Sequence, residues 1–233
     1  MELGVCSAKQ AHSLIEEGRV CVDGHLQRDP NRWVDMRENT LSVDGDVVLA
    51  DPERRVFAFH KPRGYITTRS DPGDRPTIYT LLGDQHPWVF PVGRLDRHSS
   101  GLLILTNDRA LAERIKDPAA RVPKCYHARV AGVPEADALQ WLAAGFTLPD
   151  GTQTRPIETR LLGGPVQGGT TWVELVLTEG RYRQVRRMLA AIGHDVQELV
   201  RVRIGQLELG DLAPGEERAL DPSAVSRLTT SRG

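Results

Sequence analysis

Residues 93–108 read GRLDRHSSGLLILTND, with one carboxylate, Asp96, between Arg94 and Arg97 and an apolar run close behind it. A carboxylate set on a rigid base can attack as a nucleophile or take a proton as a base. Other chemistries suit the stretch less. His98 beside Ser99 offers the atoms of a Ser/His hydrolase, but neither serine has the glycine-flanked elbow of such a nucleophile. A glycosidase would need a second acid near Asp96, and Asp108 is separated from it by a whole strand. The chain has no P-loop or dinucleotide fingerprint. Cys6, Cys21 and Cys125 are far apart and form no Cys-x-x-Cys or Cys/His cluster, so neither a metal site nor a cofactor is expected.

A second stretch, residues 179–195, reads EGRYRQVRRMLAAIGHD. Val185, Met188, Leu189 and Ile192 fall at i, i+3, i+4 and i+7, which predicts a helix with one apolar stripe, ended by Gly193. Arg183 and Arg187, four apart, are expected to share the opposite, solvated face. Arg186 falls at the border of the stripe, where a half-buried guanidinium wants a carboxylate partner. Residues 181–203 hold six arginines against Asp195 and Glu198, and residues 54–75 hold six basic residues against Asp71 and Asp74. Two such basic segments are the electrostatic footprint of a nucleic-acid site, hidden in a total of 30 Lys+Arg against 31 Asp+Glu.

These side chains need elements to hold them. Residues 102–106 are a mostly apolar run of strand length, as in a strand buried on both faces. Asn107 or Asp108 then caps a helix carrying Leu111, Ala112 and Ile115. Further strands are expected at 56–68 (broken at Pro62-Arg63-Gly64), 126–132 and 171–180, and a helix at 135–145. Before them, Ser7 and Gln10 form a capping box for a helix with Ala11, Leu14 and Ile15 on one face. Asp23-Gly24 and Asp44-Gly45 mark two hairpin turns. This small unit, 1–50, is set apart from 51–233 by a polar linker with a proline. Strands and helices alternate without a strict βαβ rhythm, which predicts an α+β fold with a mixed sheet. A polar N-terminus, no run of membrane-spanning length and three scattered thiols point to a cytoplasmic protein with no membrane partner; a monomer is expected.

Taken together, the motifs resemble the bacterial rRNA pseudouridine synthases of the small-subunit and large-subunit type. The resemblance rests on Gly93-Arg94-Leu95-Asp96, the run from Ser99 to Asp108, Lys61-Pro62-Arg63-Gly64, Lys124-Cys125-Tyr126, the run from Glu179 to Met188, and RVRIGQLELGDLAPGE at 201–216. They cover nearly the whole chain, in order. The resemblance implies a largely antiparallel pseudouridine synthase sheet with flanking helices. It also implies Asp96 as the catalytic carboxylate, Arg186 as its ion-pair partner and Tyr126 stacked on a flipped uracil. Ribosomal RNA or a pre-ribosomal particle would be the partner, and no cofactor would be required. RNA contacts are expected from Lys61, Arg63, Arg94, Lys124, Arg181, Arg183 and Arg187. Residues 1–50 resemble an α-L, ribosomal-protein-type RNA-binding domain, expected to be shortened at its start. There Ala8 stands where the family has arginine, and RNA contact is expected from Lys9 and Arg19. The rival expectation is a catalytically silent RNA-binding or ribosome-assembly factor on the same scaffold.

Overall fold

The structure, a computed structural model, describes residues 8–36, 38–48, 53–83, 88–148, 150–163 and 169–230. The chain divides into two compact units, residues 1–55 with 87–90 and residues 56–86 with 91–233. Among the described residues no helix is long and apolar enough to cross a membrane.

In the first unit, helix α1 (Ala8–Glu16) precedes β1 (Val20–Val22), β2 (His25–Gln27), β3 (Leu41–Val43) and β4 (Asp46–Val48). These strands form an antiparallel sheet in the order β2-β1-β3-β4. Both Asp-Gly turns have left-handed backbones, with φ of 52° and 76° at Asp23-Gly24 and 54° and 92° at Asp44-Gly45. Such turns match the right-handed twist of the strands they join. Asp23 also braces the chain leading into β3, accepting from the Thr40 N–H at 2.7 Å and the Asn39 amide at 2.8 Å. Ser7, and with it the expected capping box, lies outside the described residues.

The short strand β6 (Phe90–Pro91) straddles the division. The second unit contains β5 (Val56–Lys61), α2 (Tyr79–Leu82), β7 (Ser100–Thr106), α3 (Arg109–Lys116), β8 (Lys124–Ala131), α4 (Ala136–Ala144), β9 (Glu158–Leu161), β10 (Thr170–Leu177), α5 (Gln184–Ala191), β11 (Val196–Ile204), β12 (Leu207–Glu208), β13 (Glu217–Ala219) and α6 (Pro222–Arg227). The main sheet runs β13-β5-β7-β11-β8-β10-β9, and β12 folds back on β11. Along this order β7 and β11 are parallel and every other pair is antiparallel. The fold is therefore α+β with a mixed, largely antiparallel sheet.

Leu102–Leu105 of β7 are fully buried, as the apolar run predicts. Each such side chain stabilises the fold by roughly 1.5–3 kcal/mol. Asp108 caps α3 by accepting from the Leu111 N–H at 2.9 Å. Val185, Met188 and Leu189 of α5 pack with Leu142 of α4 on Ala128, Val130, Val173 and Leu175 of the sheet, and Ile192 joins them at the edge. Strand β9 and helix α6 carry no strong period and are not expected from sequence.

Candidate active site

One row of paired residues crosses the centre of the sheet. Lys61 on β5 pairs with Gly101 on β7, Gly101 with Arg201 on β11, Arg201 with Tyr126 on β8, and Tyr126 with Leu175 on β10. Directly paired residues share a face, so strand pairing alone aligns four residues of four sequence motifs. Gly101 is required there. Its φ is +105°, and a Cβ at this position would lie 2.3 Å from the Arg201 carbonyl oxygen.

The chain entering β7 carries Asp96, and its backbone is held at almost every residue. Thr67 Oγ1 donates to the Leu95 carbonyl at 2.9 Å and accepts from the Leu95 N–H at 3.2 Å. The Arg97 carbonyl accepts from the Gly64 N–H at 2.7 Å, and the Ser99 N–H donates to the Asp96 carbonyl at 3.0 Å. Arg186 Nη2 donates to the His98 carbonyl at 2.9 Å, and Lys61 Nζ donates to that of Ser99 at 2.8 Å. Leu95 itself is buried. The Asp96 side chain, one-third exposed, projects from this fixed turn.

The cation paired with Asp96 is Arg183, whose Nη1 lies 3.7 Å from Oδ2. Arg186, the expected partner, instead bonds the carbonyls of His98 and Val196, the latter at 2.8 Å. Burial and the nearby charges of Arg183 and Arg63 work against the Arg186 charge, while Asp96 supports it through space. The reversal follows from where the helix begins. Helix α5 starts at Gln184, so Arg183 is its N-cap residue, in the left-handed region at φ 47° and ψ 34°. Its side chain therefore does not follow the helical face that its spacing from Arg187 predicts. Glu179 fixes this approach by accepting from the Arg155 N–H at 2.9 Å, Gln184 Nε2 at 2.6 Å and Arg181 Nε at 3.1 Å.

Other expected RNA contacts divide by burial. Lys61 is fully buried and bonds the Pro62 and Ser99 carbonyls, so it holds the turn rather than a phosphate. Burial lowers its pKa to about 8, opposed by Asp96 and reinforced by Arg201. Lys124 is half-buried and donates to the Val122 carbonyl at 3.1 Å; burial and Arg201 likewise lower its pKa to about 8. Arg201 and Arg203, counted in the basic segment, are buried and bond the carbonyls of Leu102 and Gly205. Arg75 is taken up by Asp71, and Arg187 by Asp150. Arg19 makes a two-pronged pair with Asp44 and also meets Glu17. The Lys9 side chain lies outside the described residues. Arg63, Arg94, Arg97, Arg181 and Arg183 are exposed. Tyr126 is half-buried, packs on the core cluster and lies two strands from Gly101, about 10 Å at ordinary strand spacing. Thr67 was not among the expected site residues. A lone threonine carries no sequence signal for its double bond to Leu95.

Comparison with known proteins adds four findings. Residues 55–191 match the family model described as RNA pseudouridylate synthase. The chain is 39% identical over 233 residues to an uncharacterized RNA pseudouridine synthase of Aquifex aeolicus, covering all of this chain and 92% of that protein. It is 36% identical over 225 residues to the ribosomal large subunit pseudouridine synthase B of Bacillus subtilis, covering 97% and 91%. A crystal structure of a pseudouridylate synthase superposes with a TM-score of 0.71 at 28% identity, covering 97% of this chain and 95% of that one.

Proposed function

From its membership of the RNA pseudouridylate synthase family, to which this chain belongs and whose reaction isomerises uridine to pseudouridine in RNA, we propose that its substrate is ribosomal RNA and that Asp96 is the catalytic carboxylate. The observation that carries this reading is the Asp96 turn: a reachable carboxylate on a backbone fixed at Leu95, Arg97, His98 and Ser99. The name of the Bacillus subtilis relative, a ribosomal large subunit pseudouridine synthase, supports ribosomal RNA as the target.

The reaction breaks the bond between uracil N1 and ribose C1′, turns the base and joins C5 to C1′. The proton on C5 is lost and N1 gains one, so the product is an isomer. Asp96 acts at C1′ as nucleophile or at a ribose proton as base. Arg183 pairs with the carboxylate and keeps it oriented. Arg186 is a positioning residue, acting through the His98 carbonyl. Tyr126 stacks on the uracil, which must leave its helix to reach Asp96. Exposed Arg63, Arg94 and Arg181 meet the phosphate backbone. Residues 1–50 act as the α-L-type RNA-binding domain, with Lys9 and Arg19 as contacts, ahead of a catalytic domain at 51–233. The enzyme works in the cytoplasm as a monomer, without a cofactor.

The test is pseudouridine mapping of ribosomal RNA from cells lacking the gene, restored with wild type or Asp96→Asn. One or more sites should vanish on deletion and return only with wild type. Unchanged sites after deletion would refute ribosomal RNA as the substrate. Full restoration by Asp96→Asn would refute the role of Asp96 and favour a silent RNA-binding factor whose presence, not chemistry, matters.

A further inference from the structure

Strand β8 has two functional faces. Tyr126, Ala128 and Val130 alternate toward the core cluster, which leaves Cys125 and His127 on the other face. Glu174 on β10 is the direct cross-strand partner of His127 and so joins them. We propose that Cys125, His127 and Glu174 form a site for a divalent transition-metal ion of the zinc class, on the sheet face opposite Tyr126.

The Cys125 sulfur, a His127 ring nitrogen and a Glu174 carboxylate oxygen lie within 4.8 Å of one another. His127 Nε2 is 3.1 Å from Glu174 Oε2. Arg160 Nε donates to the other oxygen, Oε1, at 2.7 Å, which fixes the carboxylate with Oε2 toward the histidine. This is the orienting outer bond that ligating carboxylates commonly have. One thiolate, one imidazole and one carboxylate form a zinc-type donor set. Bonds of about 2.0–2.3 Å at tetrahedral angles put donors roughly 3.3–3.7 Å apart, so the His127–Glu174 pair at 3.1 Å parts slightly and the most distant donors draw closer by roughly 1 Å, within the reach of side-chain rotation. The three residues line a cavity of about 330 Å³, together with Arg203, Glu208 and Gly210, so an ion and a fourth ligand have room and an entry. Binding expels the thiol proton to solvent. The thiolate and carboxylate then balance the dication, and Arg203, beside the sulfur, favours the thiolate. Burial and Glu174 hold the ion-free thiol protonated, with its pKa up at about 11. The spacing Cys-x-His is not a zinc signature when read along a chain. It brings two donors together only on a strand, and the third donor is 47 residues away.

The test is titration of the full-length protein with Co²⁺, followed by the thiolate-to-cobalt charge-transfer absorption, with Zn²⁺ as competitor. One equivalent should bind and give the band. Cys125→Ser should abolish the band, and His127→Gln or Glu174→Gln should weaken binding by about tenfold or more. The two latter variants change partly exposed side chains and carry the test if Cys125→Ser fails to fold. No thiolate band, a band that survives Cys125→Ser, or wild-type affinity in both partner variants would overturn the proposal. Asp96→Asn should bind cobalt as wild type does, so loss of the isomerase reading and loss of the metal site are read separately.

Discussion

Asp96 has two arginine neighbours with different jobs, and the difference can be measured. Arg183 makes a partly exposed ion pair, so Arg183→Ala should cost about 1 kcal/mol or less of stability. Arg186→Ala leaves the His98 and Val196 carbonyls without their donor, and should cost about 2 kcal/mol or more. Denaturant midpoints distinguish the two; equal losses would mean that Arg186 does not hold the turn. Lys61 gives a second prediction at this scale. Its folded-state pKa, about 8, lies below the ordinary 10.5, so between these values the folded protein holds fewer protons than the unfolded chain. Stability should therefore rise with pH across that window, and the burden of the buried charge is full below it. Lys61→Met should shrink the rise and leave the share due to Lys124. An unaltered pH profile of unfolding would show that Lys61 is not desolvated. Part of this scale was legible in the sequence: the half-burial of Arg186, and a helix cap at Asn107 or Asp108, which falls on Asp108. The pairing of Arg183 was not, because it depends on one left-handed residue ahead of α5, and no periodicity reports a backbone that departs from the helix.

At the scale of elements, the site depends on how closely β7 meets β11. Gly101→Ala would place a methyl 2.3 Å from a backbone oxygen on a residue at φ +105°, so strand separation and backbone strain add. A loss of about 3 kcal/mol or more is expected, measured as a fall in Tm, with loss of pseudouridine formation. Near-wild-type behaviour would mean that the two strands can part without harm to the Asp96 turn. The sequence showed β7 clearly, because a strand buried on both faces reads as an unbroken apolar run. It showed the two hairpins because Asp-Gly permits two successive left-handed residues. Strand β9 was invisible because its sequence, ETRL, is mostly polar and it pairs with a single neighbour at the sheet edge. The basic count of residues 181–203 overstated the RNA surface, since Arg201 and Arg203 turn inward to carbonyl groups.

At the scale of the molecule, a near-neutral chain must bind a polyanion through a few exposed cations. If Arg63, Arg94 and Arg181 each meet one phosphate of a single strand, the logarithm of affinity should fall with the logarithm of salt at a slope of about −2. Arg94→Ala should reduce that slope by about 0.7. A slope unmoved by the variant would remove Arg94 from the RNA surface. The parallel pairing of β7 with β11 also has a bearing on time. Asp96 is synthesised early, but the strand beside Gly101 and the guanidinium on His98 belong to β11 and α5, roughly 90–100 residues later. Closing so long a loop comes late in folding, because its entropy must be lost before its contacts form. A nascent chain halted before Gln184 should therefore leave residues 96–99 open to a protease that cannot cut the finished protein there. The Asp96 turn is in this sense born open: the contacts that close it come only with α5 and β11, which the ribosome makes after it.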